Sequence, residues 1–223
     1  MARKDFGQYC GLARALEMVG ERWALLVIRE LLARPSRYSE MLDALPGIPT
    51  NVLSARLKEL EQVGVVERQV APAPKRGVLY VLTGDGRALQ SAVLALAMWG
   101  NSRLGEQRAD EFVPPSSVVM AFRATFNAEA ADGLCAVWEI HTAGVMLYVV
   151  VTEGQLTTGI GPAPSDPDLV ITIRSTRMPA FQGILTAVAS GKAETSGREE
   201  LLGRFLEVFA VAELLDSINS LDR

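Results

Sequence analysis

A chain of 223 residues, 49% hydrophobic and 22% charged, has the length and core material for two domains of ordinary size. Its formal charge of −4 is unevenly spread: residues 1–110 hold 15 Lys and Arg against 12 Asp and Glu, residues 111–223 hold 7 against 14. With one histidine, two cysteines, no apolar run behind the first charges and no stretch of membrane-spanning length, a His-based catalytic or metal site, a disulfide framework, a secretory leader and a membrane span are not expected.

The reading is therefore a cytoplasmic protein whose first half meets a polyanion and whose second half does not. From Glu21, "ERWALLVIRELLARPS" predicts a helix stopped by Pro35. "SRYSEMLDALPG" predicts a short helix with Ser36 as its N-cap, Leu42 and Leu45 on its buried side, and Pro46-Gly47 at its end. Thr50 is expected to cap the next helix, "NVLSARLKELEQVG", which Gly64 closes at C′. Two helices joined by such a turn form a helix-turn-helix. In the second, Leu53, Leu57 and Leu60 make an apolar stripe, with Asn51, Ala55 and Lys58 opposite and Thr50 and Ser54 flanking. That face is either a base-reading surface near a helix N-terminus or an ordinary solvated face. Arg56 falls nearer the leucines and is given a structural or phosphate-contact role.

"GVVERQVAPAPKRGVLYVLT" predicts two strands, Val65 to Val70 and Val78 to Leu82, around a Pro-rich tip with Lys75 and Arg76. A hairpin in this place is a wing, and its cations suit phosphate or minor-groove contact. "DGRALQSAVLALAMWGNSRLGEQ" predicts one long helix with Leu89, Val93, Leu96 and Leu104 in a stripe, Leu94 and Met98 on the far side and Trp99 between. Such a helix needs two partners: its own core, and either a second subunit or the second domain. At "EQRADEFVPPSS" a charged run meets Pro114 and Pro115, which puts the domains at 1–110 and 111–223.

In the second half "SSVVMAFRATFNAEAADG" predicts a helix with Val119, Phe122 and Phe126 on one side. Four strand-like runs follow: "LCAVWEIHT", "VMLYVVVT", "GQLTTGIG" and "DLVITIRS". Trp138 and Ile140 alternate with Glu139 and His141, and "AGV" and "EGQ" are tight turns, so the first three runs form an antiparallel meander. "TRMPAFQGILTAVASG" is helical, and "SGREELLGRFLEVFAVAELLDSI" is an amphipathic helix in which Ser196 and Glu199 make a capping box. The fold class is α+β: an N-terminal winged helix-turn-helix with a long dimerisation helix, then helices on an antiparallel sheet. Asp166, Asp168, Glu199 and Glu200 are explained by turns and a helix terminus. There is no phosphate loop or serine elbow, so neither an enzyme nor a cofactor is expected.

The order "CGLARALEMVGERWALLVIRELL", "RYSEMLDALPGIPTNVLSARLKELEQVGVVER", "YVLTGDGRAL", "MWG" resembles the HxlR family of winged-helix transcriptional regulators. The resemblance implies a homodimer on a roughly palindromic operator of double-stranded DNA. It implies DNA contacts at Thr50, Asn51, Ser54 and Lys58, at Arg37, and at Lys75 and Arg76. Cys10 matches a family position that in some members senses electrophiles or oxidants; the alternative is a small buried hydrophobe. The run from "EGQLTTGIG" through "DPDLVITIRSTRMPAFQGILTAVASGKAETSGREELLGRFLEVF" resembles a sterol-carrier-protein-like domain, which implies room for a small apolar ligand. Phe122, Phe126, Trp138, Met146, Tyr148 and Phe181 are its candidate lining, or else plain core. A ligand-responsive regulator is thus the leading expectation. A thiol sensor acting through Cys10 and a hydrophobic-metabolite carrier with a winged helix for protein contacts are the alternatives.

Overall fold

The computed structural model describes residues 5–71, 76–105, 107–108 and 110–209. The chain divides into two compact units, Met1–Arg103 and Leu104–Arg223. The first runs α1 (Gly11–Val19), α2 (Ala24–Ala33), α3 (Tyr38–Ala44), α4 (Thr50–Gln62), β1 (Val66–Val70), β2 (Val78–Leu82), α5 (Gly84–Ala88) and α6 (Gln90–Asn101). Val27 and Ile28 of α2, Met41 of α3, Leu45 after it, and Leu53, Leu57 and Leu60 of α4 are buried together with Val65 and Val66. This is the stripe that helical spacing demands, pressed into one core.

Several local expectations change. Helix α2 starts at Ala24, not Glu21, because Trp23 takes a left-handed φ of 79° and breaks the helical run before it. Ser36 is not a cap. It is buried and exchanges two backbone hydrogen bonds with Tyr80, adding a one-residue strand to the β1–β2 hairpin. Arg37 is the N-cap of α3, and its N–H donates to the Glu40 carboxylate at 2.7 Å. The buried side of α3 is carried by Met41, with Leu42 only half-buried. Thr50 is the first helical residue of α4; Pro49, at ψ 142°, holds the cap position. Gly64, at φ 75°, closes the helix in the left-handed conformation expected of it.

The long helix is two. Thr83 caps α5 by accepting from the Gly86 N–H at 3.1 Å, and the Leu89 N–H turns back to Gly86 O at 3.2 Å before α6 begins. Gly86 is required there: a Cβ would sit 2.1 Å from the Val65 carbonyl oxygen.

The second unit runs α7 (Pro115–Thr125), β3 (Ala136–Thr142), β4 (Val145–Thr152), β5 (Gln155–Ile160), β6 (Leu169–Ile173), α8 (Phe181–Ala189), β7 (Glu194–Gly197) and α9 (Leu201–Phe209). Its sheet has the order β5-β4-β3-β6-β7. The meander β3-β4-β5 forms through Ala143-Gly144 and Glu153-Gly154, all four residues at positive φ, the requirement of two-residue hairpins that follow strand twist. The sheet is mixed and not antiparallel, because β6 lies parallel to β3, Trp138 opposite Leu169 and Ile140 opposite Ile171. Asp168 sets that pairing: its N–H donates to Val137 O at 2.8 Å and its Oδ2 accepts from the Val137 N–H at 2.9 Å.

The fifth strand, β7, was not expected. Ser196 stands in it opposite Val170, so there is no capping box with Glu199, and Glu199 and Glu200 precede the helix instead of opening it. Helix α9 is described to Phe209; the remainder of the helix expected as far as Ile218 lies outside the described residues.

Candidate nucleic-acid interface

Helix α4 turns one side into the core and the other outward. Opposite Leu53, Leu57 and Leu60, the side chains of Thr50, Asn51, Ser54 and Lys58 are exposed on one surface. Arg56 is not part of it. Its side chain is only 14% exposed and is paired with Glu59 at 2.5 Å and Glu21 at 3.4 Å, so its charge is spent within α4 and against the segment before α2. The outward surface therefore offers two small polar groups, an amide and one ammonium near a helix start, a composition suited to base edges and phosphate.

Tyr38, which sequence reasoning passed over, completes this surface. It opens α3, and its hydroxyl donates to Thr50 O at 2.7 Å and lies 3.1 Å from Ser54 Oγ. Two of the expected contact residues are thus held by a third from the preceding helix. No periodicity signals such a role, because the link spans a turn between helices.

Arg37 also departs from a simple contact role. Its Nη1 donates to Arg76 O at 3.1 Å, in the loop at the tip of the wing. Gly77 beside it has φ 140°, and a Cβ there would come 2.3 Å from that same Nη1. The missing side chain is the slot that Arg37 fills. Arg76 is exposed, while Lys75 at the tip lies outside the described residues. Arg68, on β1, is neutralised by Glu61 at 2.7 Å and lies 5.6 Å from the Tyr80 ring centroid.

Away from α4, helix α6 buries only Val93; Leu96 is 51% exposed, Met98 48% and Trp99 60%. Phe6, Tyr9, Leu12 and Leu16, before and along α1, are exposed as well. Cys10 is a free, exposed thiol at the N-cap of α1. The Ala13 and Leu12 N–H groups of that helix start hold it below the usual thiol range.

The six candidate ligand-lining residues of the second unit do not line one space. Phe122, Phe126, Trp138 and Phe181 lie on the helix side of the sheet with Phe205 and Phe209. There the rings touch edge to face: Phe122 to Phe181 at 5.0 Å, Phe122 to Phe209 at 5.1 Å and Trp138 to Phe205 at 5.7 Å. The Trp138 indole N–H donates to Leu201 O at 3.2 Å, which completes its satisfaction inside the core. Met146 and Tyr148 point to the other side, since they pair with His141 and Glu139 whereas Trp138 pairs with Val149.

On that outer side Glu139 is buried, accepting from the Ala163 N–H at 2.7 Å and from His141 Nε2 at 2.6 Å. Burial pushes its acidity down, but those two partners outweigh it and hold the carboxyl below its ordinary value. Among the described residues no group of three His, Cys, Asp or Glu is placed to hold a metal. No helix of the described residues is long and apolar enough to cross a membrane.

Comparison with known proteins bears on the first half. The family model for the HxlR-like helix-turn-helix matches residues 18–108. The HTH-type transcriptional regulator YodB of Bacillus subtilis is 38% identical over 105 residues, 47% of this chain and 86% of that protein. The HTH-type transcriptional regulator sll1512 of Synechocystis sp. is 34% identical over 106 residues, 48% of this chain and 78% of that one. The solved reduced form of YodB aligns over 45% of this chain and 100% of its own, at 35% identity and a TM-score of 0.39. An outward polar face on α4, a hairpin behind it and this shared span converge: the chain belongs to the HxlR-like helix-turn-helix family and is a DNA-binding transcriptional regulator.

Proposed function

We propose that the chain acts as a homodimer, each protomer laying α4 in the major groove of one half-site of a palindromic operator. Thr50, Asn51, Ser54 and Lys58 contact the DNA from α4, and Lys75 and Arg76 contact it from the wing. The observation that carries this reading is the exposure of Asn51, Ser54 and Lys58 opposite the buried Leu53, Leu57 and Leu60. The dimer is supported by the apolar surface that α6 leaves open around Leu96, Met98 and Trp99. Residues 1–110 form the DNA-binding and dimerising domain. Residues 111–223 form a sterol-carrier-like domain that supports the dimer or holds a small apolar ligand, and the contact between its interior rings favours the supporting role.

Asn51→Ala combined with Lys58→Ala is expected to lower specific affinity by about 2–4 kcal/mol while leaving the dimer intact. Fluorescence anisotropy on duplexes selected by the purified protein measures this. Undiminished specific binding by the double variant would place the interface elsewhere.

A second reading is favoured by one observation, the exposed Cys10 at a helix start that favours its thiolate. In it, oxidation or electrophile addition at Cys10 switches DNA binding. Cys10→Ser should then remove any effect of peroxide or quinone on operator affinity, and a full response in that variant eliminates the reading.

A further inference from the structure

The hydroxyl of Tyr38 carries a single hydrogen, and the geometry says where it goes. Thr50 O is a carbonyl oxygen with no hydrogen of its own. At 2.7 Å from the Tyr38 oxygen, the contact is attractive only if the phenol hydrogen points at it. The second contact, 3.1 Å to Ser54 Oγ, must then take its hydrogen from Ser54. With that hydrogen committed toward Tyr38, the Ser54 oxygen has only lone pairs left to offer outward, and it stands on the exposed side of α4 beside Asn51 and Lys58.

We propose that Tyr38 fixes Ser54 as a hydrogen-bond acceptor toward the major groove, so that Ser54 selects a base bearing an exocyclic amine. In the major groove adenine shows an N6 amine and cytosine an N4 amine, whereas guanine shows O6 and N7 and thymine O4 and a methyl group. An isolated serine accepts or donates and so tolerates either class. A serine whose hydrogen is held in place separates adenine and cytosine from guanine and thymine on the strand it faces. Tyr38 is thus a positioning residue that acts through Ser54. The inference rests on the reading above, in which this side of α4 meets bases.

The test uses the full-length protein and duplexes selected by it from a random library, with each position then changed to all four bases. One position per half-site should prefer adenine or cytosine over guanine or thymine by about fivefold, the worth of one hydrogen bond to a base. Tyr38→Phe removes only the oxygen that holds the Ser54 hydrogen. It should flatten that preference to within about twofold by admitting guanine and thymine, a larger change than at any other position.

Ser54→Ala should flatten the same position by weakening adenine and cytosine. Where the selected base is adenine, replacing it with purine, which lacks the N6 amine, should cost the unaltered protein what Ser54→Ala costs. If Tyr38→Phe keeps the amine preference at the position that Ser54→Ala flattens, the assignment to Tyr38 is wrong. If Ser54→Ala alters no position while Asn51→Ala with Lys58→Ala still lowers specific affinity, Ser54 reads no base and the proposal is wrong although the recognition-face reading stands; if neither variant alters binding, that reading fails as well.

Discussion

In the first unit Leu96, Met98 and Trp99 stand outside their own core, whereas in the second Phe122, Trp138, Phe205 and Phe209 are shut into theirs. The polar chemistry divides the same way. The first unit presents Asn51, Ser54 and Lys58 to solvent, while the second buries Glu139 against a backbone N–H and a histidine. The first unit leaves apolar side chains of α6 exposed, whereas the rings at the centre of the second are buried against one another.

Three variants probe that contrast. Phe122→Ala has the largest expected effect. It removes the ring that touches Phe181, Phe205 and Phe209, and should destabilise the second unit by about 3–5 kcal/mol in calorimetry. A melting profile unchanged by it would mean that the ring cluster is not what holds that unit together. Next, Leu96→Asp with Trp99→Asp should weaken self-association by about 2 kcal/mol for each anchor lost, read by sedimentation across a concentration series. A dimer of full strength would show that α6 is completed by something other than a second copy.

The smallest effect is expected from Glu139→Gln, about 1–2 kcal/mol at neutral pH. The folded protein holds this carboxyl below its ordinary value, so the stabilisation is fully present above the unfolded pKa. It is lost as pH falls through the folded value. The difference between wild type and Glu139→Gln should therefore close on acidification, and a gap that stays constant with pH would show that the charge at Glu139 contributes nothing.

What was legible in the sequence followed from spacing, and what was not followed from pairing. Leu53, Leu57 and Leu60 repeat at helical intervals and bury as that interval requires; the strands of the wing and of the meander are bounded by their turns. The run "VMLYVVVT" is apolar on both sides of the strand, so alternation could not tell Leu147 and Val149, which face the rings, from Met146 and Tyr148, which do not. Only the register against β3 decides it. Ser36 and Ser196 each read as helix caps from composition, yet both are strand residues whose partners, Tyr80 and Val170, lie far along the chain. The role of Tyr38 was hidden for a similar reason: its partners belong to the next helix.

Arg37 and Tyr38 are neighbours in sequence. One grips the tip loop of the wing through Arg76 O and the slot at Gly77, the other grips the start of α4 through Thr50 O. Wing and recognition helix are therefore both measured from one dipeptide, as two arms of a gauge are measured from one pin. A side chain added at Gly77 must displace either Arg37 or the wing. The geometry of this surface thus has its tolerance set at one peptide bond, which no sequence motif would single out.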